Sequence, residues 1–470
     1  RTGAGVEGVG IGMPSRQAAS SLIQYVPLSL SEAEPQQQQQ PPSLAFLIAL
    51  NSFAFAYCLV VSTLGIVILP TEATLLYADR HPVMLGFMLA CTGVTQLISP
   101  VVGYISDRNT SQWGRRRGLM VGGTVAACAG SFGMWYSREH QLGPAYICSL
   151  TLCVFGVNVV YSCYTALLPD FVPTTHMGRA SGVMAAMSML GSFCGFGLFG
   201  FYLGVVHSYA LYVVVLTLTV LLTCVVCHES PLLEAAPLRC AEMIAAYTID
   251  ATGSPDFFWV FVTRTFYYMG ISLQAFSLFM LRDVQKVDDP KYYTSIIAMV
   301  GQISAAIVAV PAGRLSDQLG RKPLVYAACA LMALVYVGFA FEPSVSGLIG
   351  LGVAYGIGNG MFLSVDYALA CDVLPSFDNA AQSLGVWGVS AFLGSTLGPL
   401  AAGPLLTYFG RTDSPDHYSS FGYIIVMATG AIYVTFAAVL LRNVKEALRE
   451  KKEREGLPHA AATERHSTKR

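Results

Sequence analysis

The sequence predicts an all-α membrane protein with twelve transmembrane helices in two pseudo-symmetric six-helix bundles. Three observations carry this. The 470 residues are 54% hydrophobic and only 12% charged, roughly half the charge of an average soluble protein. From Leu44 onward, mostly apolar runs return twelve times, each near the roughly 20 residues that a helix needs to cross a bilayer core. A charged loop between the second and third runs, Gly103 to Arg117 (GYISDRNTSQWGRRR), has a shorter relative between the eighth and ninth, Gly313 to Lys322 (GRLSDQLGRK).

In chain order, residues 1–43 hold Gly, Ser, the Gln36 to Gln40 run and Pro41-Pro42, too little apolar material to order itself, and are expected to be a disordered leader. They show no basic segment followed by a short apolar core and cleavage site, so no signal peptide is predicted. The expected spans are 45–69, 83–105, 118–136, 144–168, 180–205 and 209–228, then 257–281, 293–315, 323–341, 346–370, 383–408 and 420–441. Glycines inside them, such as Gly191, Gly195, Gly197 and Gly200, let helices approach closely. The segments 44–228 and 257–441 form the two expected bundles, joined by a long connector, 229–256, and followed by a charged tail, 442–470.

A second repeat supports the division. Ala166 to Pro173 (ALLPDFVP) and Gly178 to Val183 (GRASGV) match Cys371 to Pro375 (CDVLP) and Ser383 to Val386 (SLGV). Two features repeated in the same order point to a parallel duplication, a sign of transporters.

Composition also excludes classes. The net charge is −1, and the basic residues sit in short loops and a tail rather than on one broad face, so no nucleic-acid partner is expected. The twelve cysteines are scattered singly, mostly in apolar runs, as buried thiols would be. Cys224, Cys227 and His228 spell C-x-x-C-H, yet they end an apolar run where no haem pocket could form. No phosphate loop, metal-ligand cluster or nucleophile motif is present, so neither an enzyme nor a resident cofactor or metal is expected.

Short-loop lysines and arginines set orientation. Arg108, Arg115, Arg116, Arg117, Arg179, Arg239, Arg314, Arg321 and Lys322 share one side with both termini, whereas the other side has only Arg80, Arg138, Arg282, Lys286, Lys291 and Arg411. The first side is expected to be cytoplasmic. The sequon Asn109-Thr110-Ser111 then lies in the cytoplasm and is expected to carry no glycan.

At this point the chain resembles the major facilitator superfamily, over Leu44 to Leu441. That family's loop after the second helix reads Gly-x-x-x-Asp-Arg-x-Gly-Arg-Arg, and Gly103, Asp107, Arg108, Gly114, Arg115 and Arg116 fall on it. Four extra residues lie between Arg108 and Gly114, as in the longer loop of the cation-coupled glycoside and sucrose symporter branch, which includes plant sucrose carriers and their animal relatives. The second copy, Gly313, Asp317, Gly320, Arg321 and Lys322, has the standard spacing. Such a glycine permits close helix contact, and the carboxylate can pair with arginines. The resemblance implies a conformational latch that holds the two halves together on the cytoplasmic side in the outward-facing state and releases as they rock. Topology signals and loop solubility are the plainer reading of the same charges.

Polar groups inside a membrane form the shortlist for a site. Arg264 in the seventh span and Asp366 in the tenth lie at similar depth and could pair. Helical spacing aligns Arg264, Tyr267 and Gln274 on one face, and Tyr355, Asn359 and Asp366 on another; the fourth span adds Asn158, Tyr161 and Tyr164. The resemblance implies that the first, fourth, seventh and tenth helices line a central cavity. The repeat sets Tyr164 against Asp366, so the carboxylate belongs to one half only. Asp366 is the expected proton carrier, governed by Arg264, with tyrosines offering an apolar face and a hydroxyl to a sugar. A static ion pair near the interface, with Arg264 snorkelling to the cytoplasm, is the alternative. Asn51, Tyr57, Gln96 and Gln302 are second-rank, and Glu72, just past Pro70 at the outer mouth, could capture cations but is expected to be a solvated end charge.

The expected function is a monomeric secondary transporter in a lipid bilayer that moves a small solute, a sugar in the leading case, together with a proton. Carriage of another solute such as an organic anion, and a non-transporting receptor on the same fold, are the alternatives.

Overall fold

The computed structural model describes residues 42–172, 177–229, 247, 251–342, 344–374, 380–413 and 417–445. The expected leader up to residue 41, most of the connector and the tail from residue 446 lie outside the described residues, as does Arg239.

Among the described residues, twelve long helices follow one another. They are α1 (Ser52–Leu76, preceded by a short helix at Leu44–Leu50), α2 (Ala78–Asp107), α3 (Arg117–Glu139), α4 (Gly143–Phe171) and α5 (Met177–Gly197, continued by Leu198–Tyr202). Next come α6 (Val206–Val226), α7 (Pro255–Ile271, Ser272–Phe276 and Ser277–Asp283), α8 (Pro290–Leu319) and α9 (Arg321–Phe341). The last three are α10 (Val345–Asp372), α11 (Ala380–Phe409) and α12 (Ser420–Leu440). Helices suit this sequence because in lipid each backbone N–H and C=O must be satisfied within its own segment. Starts are marked by polar caps or by proline. Ser43 accepts from the Phe46 N–H at 3.2 Å, Asp289 from Tyr292 at 3.0 Å just before Pro290, and Ser344 from Gly347 at 3.1 Å.

Among the described residues, eleven helices are long and apolar enough to cross a membrane. The remaining one, α7, carries Arg264 and Gln274 and is broken by the tighter 3-10 turn Ser272–Phe276. Helix α1 also runs further than its apolar content predicts. A π-helical turn, Leu64–Ile68, directly precedes Pro70, which has no N–H to offer the Ile66 carbonyl, and the helix resumes through Leu76. The sequence-based expectation for Glu72 is therefore wrong. It lies inside the helix, fully buried, and pairs with Arg138 of α3 at 2.7 Å.

The duplication extends to helix contacts. In the first bundle α5 rests on α1, with Gly191 against the Phe55 carbonyl and Gly195 against Leu59 and Thr63. In the second, α11 rests on α7, with Gly394 against the Thr265 carbonyl and Gly398 against the Met269 carbonyl. Each glycine stands where a Cβ would collide with backbone or a packed side chain, so helix separation depends on it.

The bundles meet most closely at the end opposite the Gly103–Arg117 loop. There Gly86 of α2 abuts the Pro399 carbonyl of α11, and Gly403 of α11 abuts the Pro82 carbonyl of α2. Gly200 at the end of α5 packs on Ser295 of α8. Lys291 Nζ of α8 donates to the Leu203 carbonyl at 3.0 Å, and Arg282 of α7 donates to Thr74 Oγ1 of α1 at 3.3 Å.

Candidate functional site

Two cavities lie along the boundary between the bundles. The first, about 330 Å³, is lined from α1, α2 and α5 on one side and from α7, α8, α10 and α11 on the other. Its polar groups include Gln274, Gln302, Tyr355, Asn359, Thr294 and Ser395. The second, about 410 Å³, lies nearer the charged loop and is lined by Tyr57, Gln96, Asn158, Tyr161, Ser162 and Gly103, with Gly388, Val389 and Phe392 of α11 opposite. Among the described residues, no Asp, Glu, Lys, Arg or His lines either cavity. Thr294 Oγ1 in the first and Ser162 Oγ in the second are buried hydroxyls with no hydrogen-bond partner among the described residues.

Of the residues expected at a site, Gln274, Tyr355 and Asn359 border the first cavity and Asn158 and Tyr161 the second. Helix α4 holds its pair through partners on other helices: the Asn158 amide donates to Thr95 Oγ1 at 2.8 Å, and the Tyr161 ring stacks on Tyr57 at 4.1 Å. Tyr164, Tyr267, Arg264 and Asp366 line neither cavity. Tyr164 donates to Asn51 Oδ1 at 2.6 Å. Tyr267 donates to Asn359 Oδ1 at 3.2 Å and lies parallel to Phe362, 3.4 Å between centroids. That bond orients the Asn359 amide at the cavity wall.

Arg264 and Asp366 do pair. The Nε of Arg264 donates to Asp366 Oδ2 at 2.7 Å, and both side chains are more than nine-tenths buried. The same guanidinium donates through Nη1 to the Trp387 carbonyl at 2.8 Å and to Ser390 Oγ at 3.1 Å, and lies 3.5 Å over the Trp387 ring. Arginine is suited to such a place because its planar fork serves several acceptors and stacks on an aromatic face. The guanidinium does not reach open water, as snorkelling would require. Trp387 and Ser390 were not anticipated: spaced i and i+3 on an apolar helix, they look like ordinary packing residues until α11 is set against α7 and α10.

Among the described residues, Arg115, Arg116, Arg321 and Lys322 of the two charged loops have partners in their own bundle. Arg116 pairs with Asp107 at 2.8 Å and with Asp170 at the end of α4, and Arg115 reaches the same Asp170 carboxylate at 2.7 Å. The Arg108 guanidinium covers the Tyr104 ring at 3.7 Å. In the second bundle Arg321 pairs with Asp372 at the end of α10 at 3.4 Å, and Lys322 donates to the Val444 carbonyl at 2.7 Å. Gly114 and Gly320 occupy the same place in the repeat, at φ 106° and 97° just before α3 and α9, where a side chain would strain the turn. The close helix contact expected at Gly103 and Gly313 is not made, because nothing lies within 4 Å of a Cβ at either position. Asp317 falls on the last turns of α8, and its side chain is outside the described residues.

Twelve helices in two repeated bundles, with cavities on the boundary and a charged loop at the same place in each, define a polytopic membrane protein of the transporter type. The family model of the Major Facilitator Superfamily matches residues 43–345 and 260–469. The chain belongs to that superfamily, whose members are not enzymes.

Among curated proteins, it is 30% identical over 119 residues to the multi-drug resistance efflux pump PmrA of Streptococcus pneumoniae, covering 25% of this chain and 29% of that one. Over 158 residues it is 30% identical to the uncharacterized MFS-type transporter YfkL of Bacillus subtilis, covering 33% and 34%. The chain thus spans about a third of the length of these curated relatives. Among solved structures, the nucleoside transporter NupG superposes with a TM-score of 0.65 at 16% identity, covering 85% of this chain and 99% of that one. The human organic anion transporter MFSD10 gives 0.61 at 16%, covering 86% and 100%. At these identities the structural likeness concerns the fold.

Proposed function

We propose that the protein is a secondary transporter that moves a small uncharged, hydrogen-bonding solute, a sugar in the leading case, by alternating access, with a proton taken up at Asp366. The observation that supports the solute class is that, among the described residues, the linings of both cavities are uncharged. An ion entering there would lose hydration with no counter-charge to replace it. An uncharged solute rich in hydroxyl or amide groups would find donors and acceptors in Gln274, Gln302, Asn359 and Tyr355, and ring faces in Tyr57 and Tyr161. This argues against the organic-anion alternative.

Proton uptake at Asp366 requires that Arg264 survive the loss of its carboxylate partner. The Trp387 carbonyl, Ser390 Oγ and the Trp387 ring already hold it. In this reading the contacts between the bundles at Gly86, Gly403 and Lys291 close one side, the loop-bearing side is cytoplasmic and open, and the two charged loops engage across the bundles as a latch only in the opposite state.

The test is an uptake screen in liposomes with an imposed proton gradient, across sugars, nucleosides, amino acids and organic anions. Accumulation of an uncharged solute supports the proposal, and accumulation confined to charged solutes defeats it. Asp366→Asn should abolish gradient-driven accumulation while leaving counterflow exchange; unchanged accumulation would remove Asp366 from the mechanism. The relatives named as efflux pumps favour a second reading, outward movement of an amphipathic compound. Including such compounds in the same screen separates the two.

A further inference from the structure

At the end opposite the charged loops, one of the contacts between the bundles runs through an imidazole. His81, at the start of α2, is fully buried and meets Phe279 of α7 and Tyr418 of the α11–α12 connection edge-on, at 4.6 and 5.2 Å. Its two nitrogens face partners of opposite character. Nδ1 lies 2.7 Å from the Ala78 carbonyl, which only accepts, so Nδ1 carries the hydrogen. Nε2 lies 3.1 Å from Nη2 of Arg282, across the boundary between bundles, and a guanidinium only donates, so Nε2 presents its lone pair. Both contacts are satisfied together by one species alone, the neutral ring protonated at Nδ1.

The geometry points to His81 as a proton-sensitive clasp between the two bundles. Uncharged, it accepts from Arg282 and helps hold this end shut. Protonated at Nε2, it becomes a second donor aimed at a cation, and the bundles part. Histidine is the side chain whose proton uptake ordinarily falls between about pH 5 and 8. A closed state that excludes the proton loses population to an open state that admits it, by up to about tenfold per pH unit for one linked proton. Acid on this side of the membrane therefore favours opening toward it.

Among the described residues, the neighbouring charges do not supply the same switch. On its own turn His81 has Asp79 and Arg80, both exposed. On α1, Glu72 is engaged by Arg138. On α7, Arg282 also pairs with Asp283 at 2.6 Å. From the α11–α12 connection, which also carries Arg411 and Asp413, His417 Nδ1 approaches Asp283 at 2.9 Å, and the Tyr418 N–H donates to the same carboxylate at 3.1 Å; Tyr423 of α12 donates to it at 2.6 Å. A proton added to His417 strengthens a contact inside the second bundle. A proton added to His81 removes one between bundles.

The test needs no solute, so its failure would leave the proposed transport function standing. Hydrogen exchange of the full chain in lipid nanodiscs is followed by mass spectrometry near pH 5.5 and near pH 7.5, with correction for the intrinsic pH dependence of exchange. Peptides covering the ends of α1, α2 and α7 around Thr74, His81 and Arg282 should lose protection several-fold at the acidic pH. His81→Gln, whose amide oxygen can still accept from Arg282 but takes no proton, should hold the same protection at both pH values, and His417→Gln should keep the wild-type response. Equal protection of the wild type at both pH values, or a full response retained in His81→Gln, overturns the proposal. Should His81→Gln fail to fold, Arg282→Gln serves: its amide can donate or accept, so the response should vanish, and its persistence overturns the clasp.

Discussion

Arg264 and Asp366 sit where a charge is hardest to keep, and each depends on the other differently. Asp366 relies on Arg264, whereas Arg264 also has the Trp387 carbonyl, Ser390 and two aromatic rings. Breaking the pair from the arginine side should therefore cost more. Arg264→Met, which leaves a buried carboxylate, is expected to lower stability by about 3–5 kcal/mol, read from thermal unfolding in detergent. Asp366→Asn should cost clearly less, and the double replacement of both by Leu should recover most of the Arg264→Met loss. The pair itself was legible in the sequence, because an arginine and an aspartate inside apolar runs at matching depth have few other ways to be satisfied. Ser390 was not. Hydroxyls in membrane helices mostly bond back to their own turn, as Ser390 also does to the Trp387 carbonyl at 2.6 Å, so nothing in the sequence marks one that serves a second helix.

Between helices, glycine position decides how close the bundles can come. Gly86→Val or Gly403→Val places a branched side chain against a backbone carbonyl of the facing helix. Either is expected to weaken closure at that end by about 1–3 kcal/mol, seen as faster hydrogen exchange in the facing ends of α2 and α11 without loss of helix content. Gly103→Ala, with nothing within 4 Å, should change stability by no more than about 0.5 kcal/mol. The sequence foretold twelve spans because length and apolarity mark them, α7 less clearly than the other eleven. It did not foretell the continuation of α1 past Pro70 or the break in α7, since both arise from backbone hydrogen bonding around a proline and a polar stretch. The matched glycine contacts of α5 on α1 and α11 on α7 were hidden for another reason: glycines are frequent in all these helices, and only the packed pairs show which ones are used.

For the molecule as a whole, the bundles meet closely at one end, while at the other Arg115 and Arg116 pair with Asp170 and Arg321 with Asp372, each within its own bundle. The division into two bundles was readable from the repeated loops, but which end is shut was not, because that is a balance between two packings of one sequence. Orientation is tested at the sequon. Asn109 is already committed within its loop, donating to the Arg115 carbonyl at 2.9 Å and accepting from the Ser111 N–H at 3.2 Å. Expressed in a glycosylating host, the protein should show no mobility shift on glycosidase treatment; a shift assigned to Asn109 would place this loop outside.

Among the described residues the ion pair and the cavities share no lining residue, so under the proposed mechanism proton and cargo communicate through the helices that serve both, α7 and α10, which carry the pair, and α11, which braces it. On α11, Trp387 and Ser390 hold Arg264, while Gly388, Val389 and Phe392 face the second cavity. Stoichiometry in such a machine is set by the stiffness of shared helices rather than by chemistry at a common site. A loosened α11 would slip, letting either passenger travel without the other.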